Sequence, residues 1–190
     1  MPGPVFLHTE DASLALRTVE EEDLPFLQRN WNDPDVRRLL RSPTPRNGKQ
    51  AETSFEEWLS DDDSVNLLVC VESGDDPESG EDAAAPTPVG MVSLFRIDEQ
   101  AGVGTLACWI SPDAHGEGYA TLATRAMVAH AFEERRLHKV VGEAYAHNTA
   151  SQRVLEKVGL QEEGVLRDEK FVDGEHVDVH RYGLLADEWP

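Results

Sequence analysis

Two glycines one residue apart, placed where a strand-like segment gives way to a helix-like one, constrain the fold of this chain most strongly. The segment SPDAHGEGYA, residues 111–120, follows the apolar run GTLACWI and precedes the amphipathic stretch TLATRAMVAHAF. A strand that ends in a glycine-rich turn and continues as a helix leaves backbone N–H groups unsatisfied beside the positive end of the helix dipole. Such a turn can bind phosphate, and Gly116 and Gly118 would let the phosphate approach the backbone closely.

Two well-known phosphate-binding motifs do not fit this turn. A P-loop needs Gly-Lys-Ser or Gly-Lys-Thr, and neither follows the glycines. The dinucleotide fingerprint needs a third glycine where GEGYAT has Thr121, and it belongs to an opening βαβ unit rather than to a position two-thirds along the chain. The turn therefore matches neither of these two motifs.

The patterns around the turn predict a mixed α/β (α+β) protein. Strands are predicted over residues 13–19, 65–72, 89–98, 103–111 and 138–146, and in a terminal hairpin around Asp173-Gly174. Helices are predicted over 20–31, 32–40, 53–60, a stretch of four to five turns after Gly118, and a segment capped by Asn148 and stopped by Gly159. Counting back from the hairpin turn pairs Phe171 with His176, Glu169 with Asp178 and Arg167 with His180.

The length of 190 residues suits a single domain, which we place at residues 13–190 after an N-terminal extension of residues 1–12. Residues 73–88 are acidic and rich in glycine and proline, which predicts a mobile loop rather than a domain boundary. No apolar stretch approaches the roughly 20 residues of a membrane span. The first residues lack the pattern of a secretion signal, so we expect a cytoplasmic protein without a membrane partner.

The chain carries 37 Asp and Glu residues against 17 Lys and Arg residues, a formal net charge of -20. This charge argues against a nucleic-acid partner, because phosphate binding needs a concentrated positive surface. The charges are dispersed, which favours a generally solvated surface. An acidic excess with few lysines is typical of proteins from high-salt cytoplasms; an acidic surface that attracts a basic substrate is the alternative. Cys70 and Cys108 lie in apolar strand-like runs, which predicts buried, reduced thiols without a disulfide.

The segment HGEGYA resembles the Q/R-x-x-G-x-G/A pyrophosphate loop of the GCN5-related N-acetyltransferases (GNAT superfamily). WISPDAHGEGYATLATRAM, NTASQRVLEKVGLQEEG and DGEHVDVHRYGLLADEW also resemble the RimJ/RimL-like subgroup, which acetylates ribosomal-protein N-termini. The similarity in layout extends over nearly the whole chain from residue 13 onward. The resemblance implies a mixed, mostly antiparallel sheet of about seven strands with a V-shaped splay, flanked by helices.

The resemblance also implies acetyl-CoA as cosubstrate, with the pantetheine arm lying in the splay like an extra strand. The backbone of Cys108, Trp109 and Ile110 would contact that arm, and the amides of His115, Gly116, Glu117, Gly118, Tyr119 and Ala120 would hold the pyrophosphate. His115 departs from the family, which usually has Arg or Gln there. A neutral imidazole still donates one hydrogen bond but brings less charge, so we expect weaker binding of CoA.

Acetyl transfer needs a neutral amine, a polarised thioester and a proton donor for the leaving thiolate. Asn148 and Ser151 match the family position beside the CoA sulfur, which makes Ser151 the candidate thiolate stabiliser or acid. The same spacing also fits a helix cap with no catalytic role. Glu143 and Tyr145, on the strand that borders the gap, are the candidate bases.

The predicted activity is transfer of acetyl from acetyl-CoA to a primary amine, such as a protein N-terminal α-amine, by direct attack in a ternary complex. The alternatives are a small-molecule amine acceptor (amino acid, polyamine or antibiotic) and a non-catalytic CoA-binding sensor. His176, Asp178 and His180 alternate along one strand, but their spacing of roughly 6 to 7 Å per two residues disfavours a metal site. We therefore predict no metal cofactor. A homodimer is compatible with the sequence.

Overall fold

A computed structural model describes residues 3–9, 13–40, 44–61, 63–71 and 86–190 of the chain. Within these residues, eight strands form one sheet in the order β1-β2-β3-β4-β5-β6-β8-β7. The strands are β1 (Val5–His8), β2 (Leu14–Thr18), β3 (Val65–Val71), β4 (Thr87–Asp98), β5 (Val103–Ile110), β6 (Lys139–Tyr145), β7 (Gln161–Val172) and β8 (Glu175–Leu185). Only the β5–β6 pair among them is parallel, which confirms the predicted mixed, mostly antiparallel sheet.

The predicted count of about seven strands is one too low, because Val5–His8 in the predicted N-terminal extension forms β1. This strand pairs antiparallel with β2 at the edge of the sheet. Its four residues are too few to show a reliable two-residue alternation in the sequence. The pairing with β2 therefore decides their conformation.

The helices cover both faces of the sheet. They are α1 (Leu24–Asn32), α2 (Pro34–Leu39), α3 (Gly48–Ser54, continued by a π-helical turn at Phe55–Leu59), α4 (Tyr119–Glu133) and α5 (Thr149–Val158). Helices α4 and α5 pack on one face, where the core includes Leu94, Met127 and Val140. Helices α1 to α3 pack on the other face around Leu27 and Trp31. The sheet thus separates two apolar layers.

The predicted helix boundaries are confirmed where the sequence carries capping residues. The Asp33 carboxylate accepts hydrogen bonds from the first turn of α2, and Pro34 is its first residue. The Asn148 side chain accepts from the Ser151 N–H at the start of α5, and Gly159 ends that helix. α3 begins at Gly48, five residues earlier than the predicted helix, because Asn47 and Gln50 form a capping box.

The register of the terminal hairpin is predicted correctly only near its turn. Phe171 pairs with His176, but beyond Lys170 the register shifts, so that Val165 rather than Arg167 lies opposite His180. A bulge over residues 167–169 causes the shift, with the Asp168 N–H donating to the Asp178 carboxylate at 2.8 Å. The predicted pairs of Glu169 with Asp178 and Arg167 with His180 are therefore wrong.

The predicted mobile loop at residues 73–88 lies outside the described residues, except for 86–88, of which Thr87 and Pro88 begin β4. Cys70 and Cys108 are not joined in a disulfide. Cys70 is buried, as predicted, whereas Cys108 is only half-buried.

A bulge in β4 brings its backbone unusually close to the end of β5. The pairing of Val69 with Gly90 is followed by that of Cys70 with Pro88, so Val89 is the extra residue. Its carbonyl accepts from the Ser111 N–H at 2.7 Å. A Cβ at position 90 would overlap the Trp109 carbonyl oxygen, so only glycine fits.

We predict that Gly90→Ala lowers the free energy of unfolding by about 1–3 kcal/mol, because the neighbouring backbone must move to admit the methyl group. Gly164→Ala is the matched control, since a Cβ there meets nothing within 4 Å. Urea denaturation of both variants measures the difference. Equal stabilities for the two variants would contradict the close approach at Gly90.

Candidate active site

Strands β5 and β6 separate part of the way along their length and form a fork. Their parallel pairing runs from Val103 opposite Lys139 to Leu106 opposite Gly142 and ends there. Beyond this point β5 continues beside β4 as far as Ile110, and β6 continues beside β8 as far as Tyr145. Each strand therefore keeps its outer partner while its inner edge opens, which confirms the predicted splay.

The direction of the backbone groups on β5 follows from the strand alternation. The Ser111 N–H points to β4, so the N–H and C=O groups of Trp109 also face β4, and those of Cys108 and Ile110 face the fork. The Trp109 ring packs among α1 to α3 and stacks on Phe26, with ring centroids 5.8 Å apart. Trp109 thus brings its ring, rather than its backbone groups, to this region.

The glycine-rich bend after β5 presents a run of backbone N–H groups. Gly116 and Gly118 have φ angles of +93° and +84°, which L-residues with a side chain rarely adopt. Gly118 caps α4 without any side-chain hydrogen bond. Across the described chain, the amides of residues 116–120 donate to no backbone carbonyl. They lie at the positive end of the 15-residue helix α4, which is the arrangement that binds phosphate.

The His115 side chain folds back onto the end of β5. Its Nε2 lies 2.8 Å from the Ile110 carbonyl oxygen, so Nε2 carries the hydrogen and donates it. The neutral ring has only that one donor. The His115 ring therefore braces the bend. The His115 backbone N–H, which the sequence analysis assigned to the pyrophosphate, already donates to the Pro112 carbonyl at 3.2 Å.

Ser151 lies in the first turn of α5 and lines the cleft at the fork. Its N–H donates to Asn148 Oδ1 at 3.1 Å, which confirms the helix cap. Among the hydrogen bonds of the described residues, none involves the Ser151 hydroxyl. Asn148 and Ser151 both line the same cleft as the glycine-rich bend.

Glu143 is the first residue of β6 beyond the last β5–β6 pair. A Cβ at Gly142 would point toward Leu155 of α5, so the side chains of Glu143 and Tyr145 point to the opposite face, the side of α1 to α3. The Glu143 carboxylate is 22% exposed and lies 4.0 Å from the Arg181 guanidinium. Tyr145 is buried and stacks on His147. The candidate bases thus lie across the sheet from Ser151.

Cys108 is the nucleophilic side chain closest to the fork on β5. Burial raises the pKa of its thiol to about 12, and the neighbouring Thr124 hydroxyl offsets this rise only in part. At pH 8 roughly one molecule in ten thousand would carry the thiolate. Cys108 is therefore a poor nucleophile, although it lines the cleft.

One cleft of about 730 Å³ runs through the fork and joins these elements. It contains every residue that the sequence analysis assigned to the site except Glu117, whose side chain is exposed. The sequence analysis missed a second group that also lines the cleft: Asp35, Val36, Leu39, Leu40, Phe95, Arg96, Arg153 and Lys157. The only sequence signal for this part of the cleft wall was the apolar pair at the end of α2, which includes the exposed Leu39. Two adjacent apolar residues show no helical or strand periodicity, so they did not indicate a cleft.

The three alternating residues that the sequence analysis considered as metal ligands, His176, Asp178 and His180, each contact another side chain or backbone group. His180 Nδ1 contacts Glu162 at 2.8 Å, Asp178 accepts from Asp168, and His176 packs edge-on against Phe171. In the described parts of the chain, no group of three His, Cys, Asp or Glu side chains could hold a metal ion. The helices among those residues include none with the length and apolarity to cross a membrane.

Comparison with known proteins gives concordant results. Residues 13–161 match the acetyltransferase (GNAT) domain family. The chain is 38% identical over 100 residues, 53% of its length, to the "Putative ribosomal N-acetyltransferase YdaF" of Bacillus subtilis, and this match spans 55% of that protein. It is 31% identical over 172 residues, 88% of its length, to the "Probable N-acetyltransferase YjcK" of B. subtilis and covers 89% of that protein.

Among solved structures, spermidine N-acetyltransferase from Vibrio cholerae in complex with CoA and spermine shares the fold. The TM-score is 0.82 at 22% identity, with 93% of this chain and 98% of that chain covered. The matched family spans more than three-quarters of the chain, and the forked sheet agrees with it. The chain therefore belongs to the GNAT family and is an N-acetyltransferase.

Proposed function

We propose that this protein transfers the acetyl group of acetyl-CoA to a primary amine by direct attack in a ternary complex within the fork. The observation that carries the proposal is the continuity of the site. The open inner edge of β5 leads directly to the bend at residues 116–120, where five amides have no backbone partner. Such a path suits a ligand with a strand-like arm and a diphosphate.

The residues along this path fit coenzyme A. The N–H and C=O of Cys108 and the N–H of Ile110 are the groups directed to the pantetheine arm, since the Ile110 carbonyl already accepts from His115. The bend supplies amides at a helix N-terminus for the pyrophosphate. Glu117 contributes only its amide, and its exposed carboxylate stays clear of the phosphates. Asn148 orients the start of α5, which carries Ser151.

The bound thioester supplies an activated acyl group. The Ser151 hydroxyl would donate to the sulfur as the C–S bond breaks, because it lies on the α5 side and makes no hydrogen bond within the described structure. Glu143 would take the proton from the amine on the opposite face, and Tyr145 is the second candidate for this role. An α-amine has a pKa of about 8, so a weak base suffices.

Direct transfer is favoured over an acyl-enzyme intermediate. Cys108 is the residue that could form a thioester with the acetyl group, but its raised pKa of about 12 keeps the thiol protonated. A covalent route would therefore start from a rarely populated species. The amine attacks the acetyl carbon itself in the proposed mechanism.

For the acceptor we propose a protein N-terminal α-amine. This proposal rests on the 38% identity to a protein named as a ribosomal N-acetyltransferase. Polyamines are the second candidate, because the likeness to spermidine N-acetyltransferase extends over 93% of the chain. A homodimer, a cytoplasmic location, adaptation to high salt and the absence of a nucleic-acid partner remain predictions.

A turnover screen tests the proposed function. Release of the CoA thiol from acetyl-CoA is followed with peptides that have a free N-terminus, the same peptides with a blocked N-terminus, spermidine and free amino acids. We expect turnover with the free peptides and none with the blocked ones. Turnover with spermidine alone would favour the polyamine acceptor, and binding of CoA without turnover of any amine would favour a sensor.

We predict that Ser151→Ala lowers kcat about 100-fold or more and leaves the Kd for CoA within about threefold, since it removes a proton donor and no binding group. Thr149→Ala on the same helix is the control, because Thr149 is exposed and does not line the cleft. Steady-state kinetics and calorimetry provide the two readouts. An unchanged kcat would assign Ser151 to the helix start alone.

We predict that Cys108→Ala retains kcat within about threefold of the wild type, because its thiol is neutral and takes no part in the transfer. Native protein treated with iodoacetamide at pH 8 should remain unmodified at Cys108, as measured by peptide mass spectrometry. Denatured protein provides the positive control. Loss of activity in a folded Cys108→Ala variant, together with rapid alkylation of the native thiol, would support an acyl-enzyme route instead.

A further inference from the structure

On its α5 wall the cleft carries two cations that the proposed mechanism does not use. Arg153 and Lys157 are four residues apart on α5, so they project from the same side of the helix, and both line the cleft. Both are exposed. They lie on the same helix as Ser151, with Lys157 about 9 Å farther along the helix axis from it.

Among the described residues these cations have no acidic partner, although the protein has a large excess of acid. Arg38, Arg135, Lys139 and Lys170 each contact a carboxylate. Within the part of the chain that the structure describes, Arg153 and Lys157 make no such contact. With 37 acidic residues available, two neighbouring cations left unpaired beside a cleft suggest an anionic ligand.

Helix stabilisation does not account for both cations. Lys157 lies in the last turn of α5, where a positive charge is favourable to the helix dipole. Arg153 lies in the middle of the helix, where that effect is small. Arg125 of α4 donates to the Lys157 carbonyl at 3.4 Å, so a third positive charge lies at the same junction of α4 and α5. A phosphate there would be held by attraction from two helices.

The ligand's own chemistry identifies which phosphate is left for these residues. Coenzyme A carries a pyrophosphate and a separate 3′-phosphate, and a phosphate monoester has close to two negative charges at pH 7. The His115 ring is turned toward the Ile110 carbonyl, and the amides of the bend bring no full positive charge to the pyrophosphate. The monoester has the largest local charge, and in a protein of net charge -20 it needs cations most.

We propose that Arg153 and Lys157 bind the 3′-phosphate of coenzyme A and thereby select the donor from its dephosphorylated form. This inference rests on the proposed function, since it requires that CoA occupies the fork. The two cations would add positive charge to a site whose bend offers only uncharged amides. A phosphate that contacts both cations at once is screened less by salt than an isolated surface charge pair. The Kd for CoA should therefore depend only modestly on salt concentration.

Calorimetry with CoA and 3′-dephospho-CoA tests the proposal. We expect the wild type to bind CoA about 10- to 100-fold more tightly than dephospho-CoA, which is typical for charge-assisted hydrogen bonds. In the double variant Arg153→Gln, Lys157→Gln, CoA binding should fall to the level of dephospho-CoA. Binding of dephospho-CoA itself should change by less than about threefold.

The control is the double variant Arg136→Gln, Arg167→Gln, which removes the same charge from exposed positions away from the cleft. It should preserve the wild-type preference, and the exchange Arg153→Lys, Lys157→Arg should retain most of it. Equal binding of both ligands by the wild type would overturn the proposal. Equal weakening of both ligands in the Arg153, Lys157 variant would also overturn it, since that outcome reflects general attraction. Binding of neither ligand by the wild type would instead overturn the proposed function.

Discussion

The end of the β5–β6 pairing at Leu106 and Gly142 is the constraint on which the site depends. Both strands remain paired on their outer edges with β4 and β8, so the separation costs no outer ladder. The inner edges lose only hydrogen bonds whose net value is about 0.5–1.5 kcal/mol each, and a bound strand-like ligand would restore them. The open edge therefore lowers the stability of the fold only slightly, because both faces of the sheet are well packed.

The fork also places the chemistry on two sides of the sheet. Even-numbered residues of β5 and β6, such as Cys108, face α4 and α5, whereas Glu143 faces the side of α1 to α3. A donor held in the fork, with its sulfur on the α5 side, would present its acyl end to an acceptor that approaches from the other face. Ser151 would donate a proton to the sulfur on one face, and Glu143 would accept a proton from the amine on the other. The separation follows from strand alternation alone.

The amount that the sequence could predict differs between local and long-range features. Short-range signals identified the cap at Asn148, the stop at Gly159 and the glycine-rich bend, since each depends on one or a few neighbouring residues. The bulge at residues 167–169 could not be predicted, because the Asp178 contact that stabilises it forms only after β7 and β8 have paired. The hydrogen bond from His115 to Ile110 depends in the same way on the folded bend.

The cleft wall contributed by α2 and the pair of cations on α5 show a second limit. Their position beside the cleft depends on which elements the fold brings together, and no spacing within the sequence shows that Arg153 has no carboxylate partner among the described residues. The resemblance to a family suggests a donor site because the proposed site uses backbone groups in a recognisable motif. The proposed acceptor site uses side chains from separate elements, so it leaves a weaker trace in the sequence.

Hydrogen exchange of individual backbone amides with and without saturating CoA tests the central claim most directly. The account predicts slower exchange at residues 116–120 and at Cys108 and Ile110 when CoA is bound, with little change at the β7–β8 turn around Gly174. These are the amides that face the fork and the bend without a backbone partner on that side. Unchanged exchange at residues 116–120 in protein that demonstrably binds CoA would contradict it.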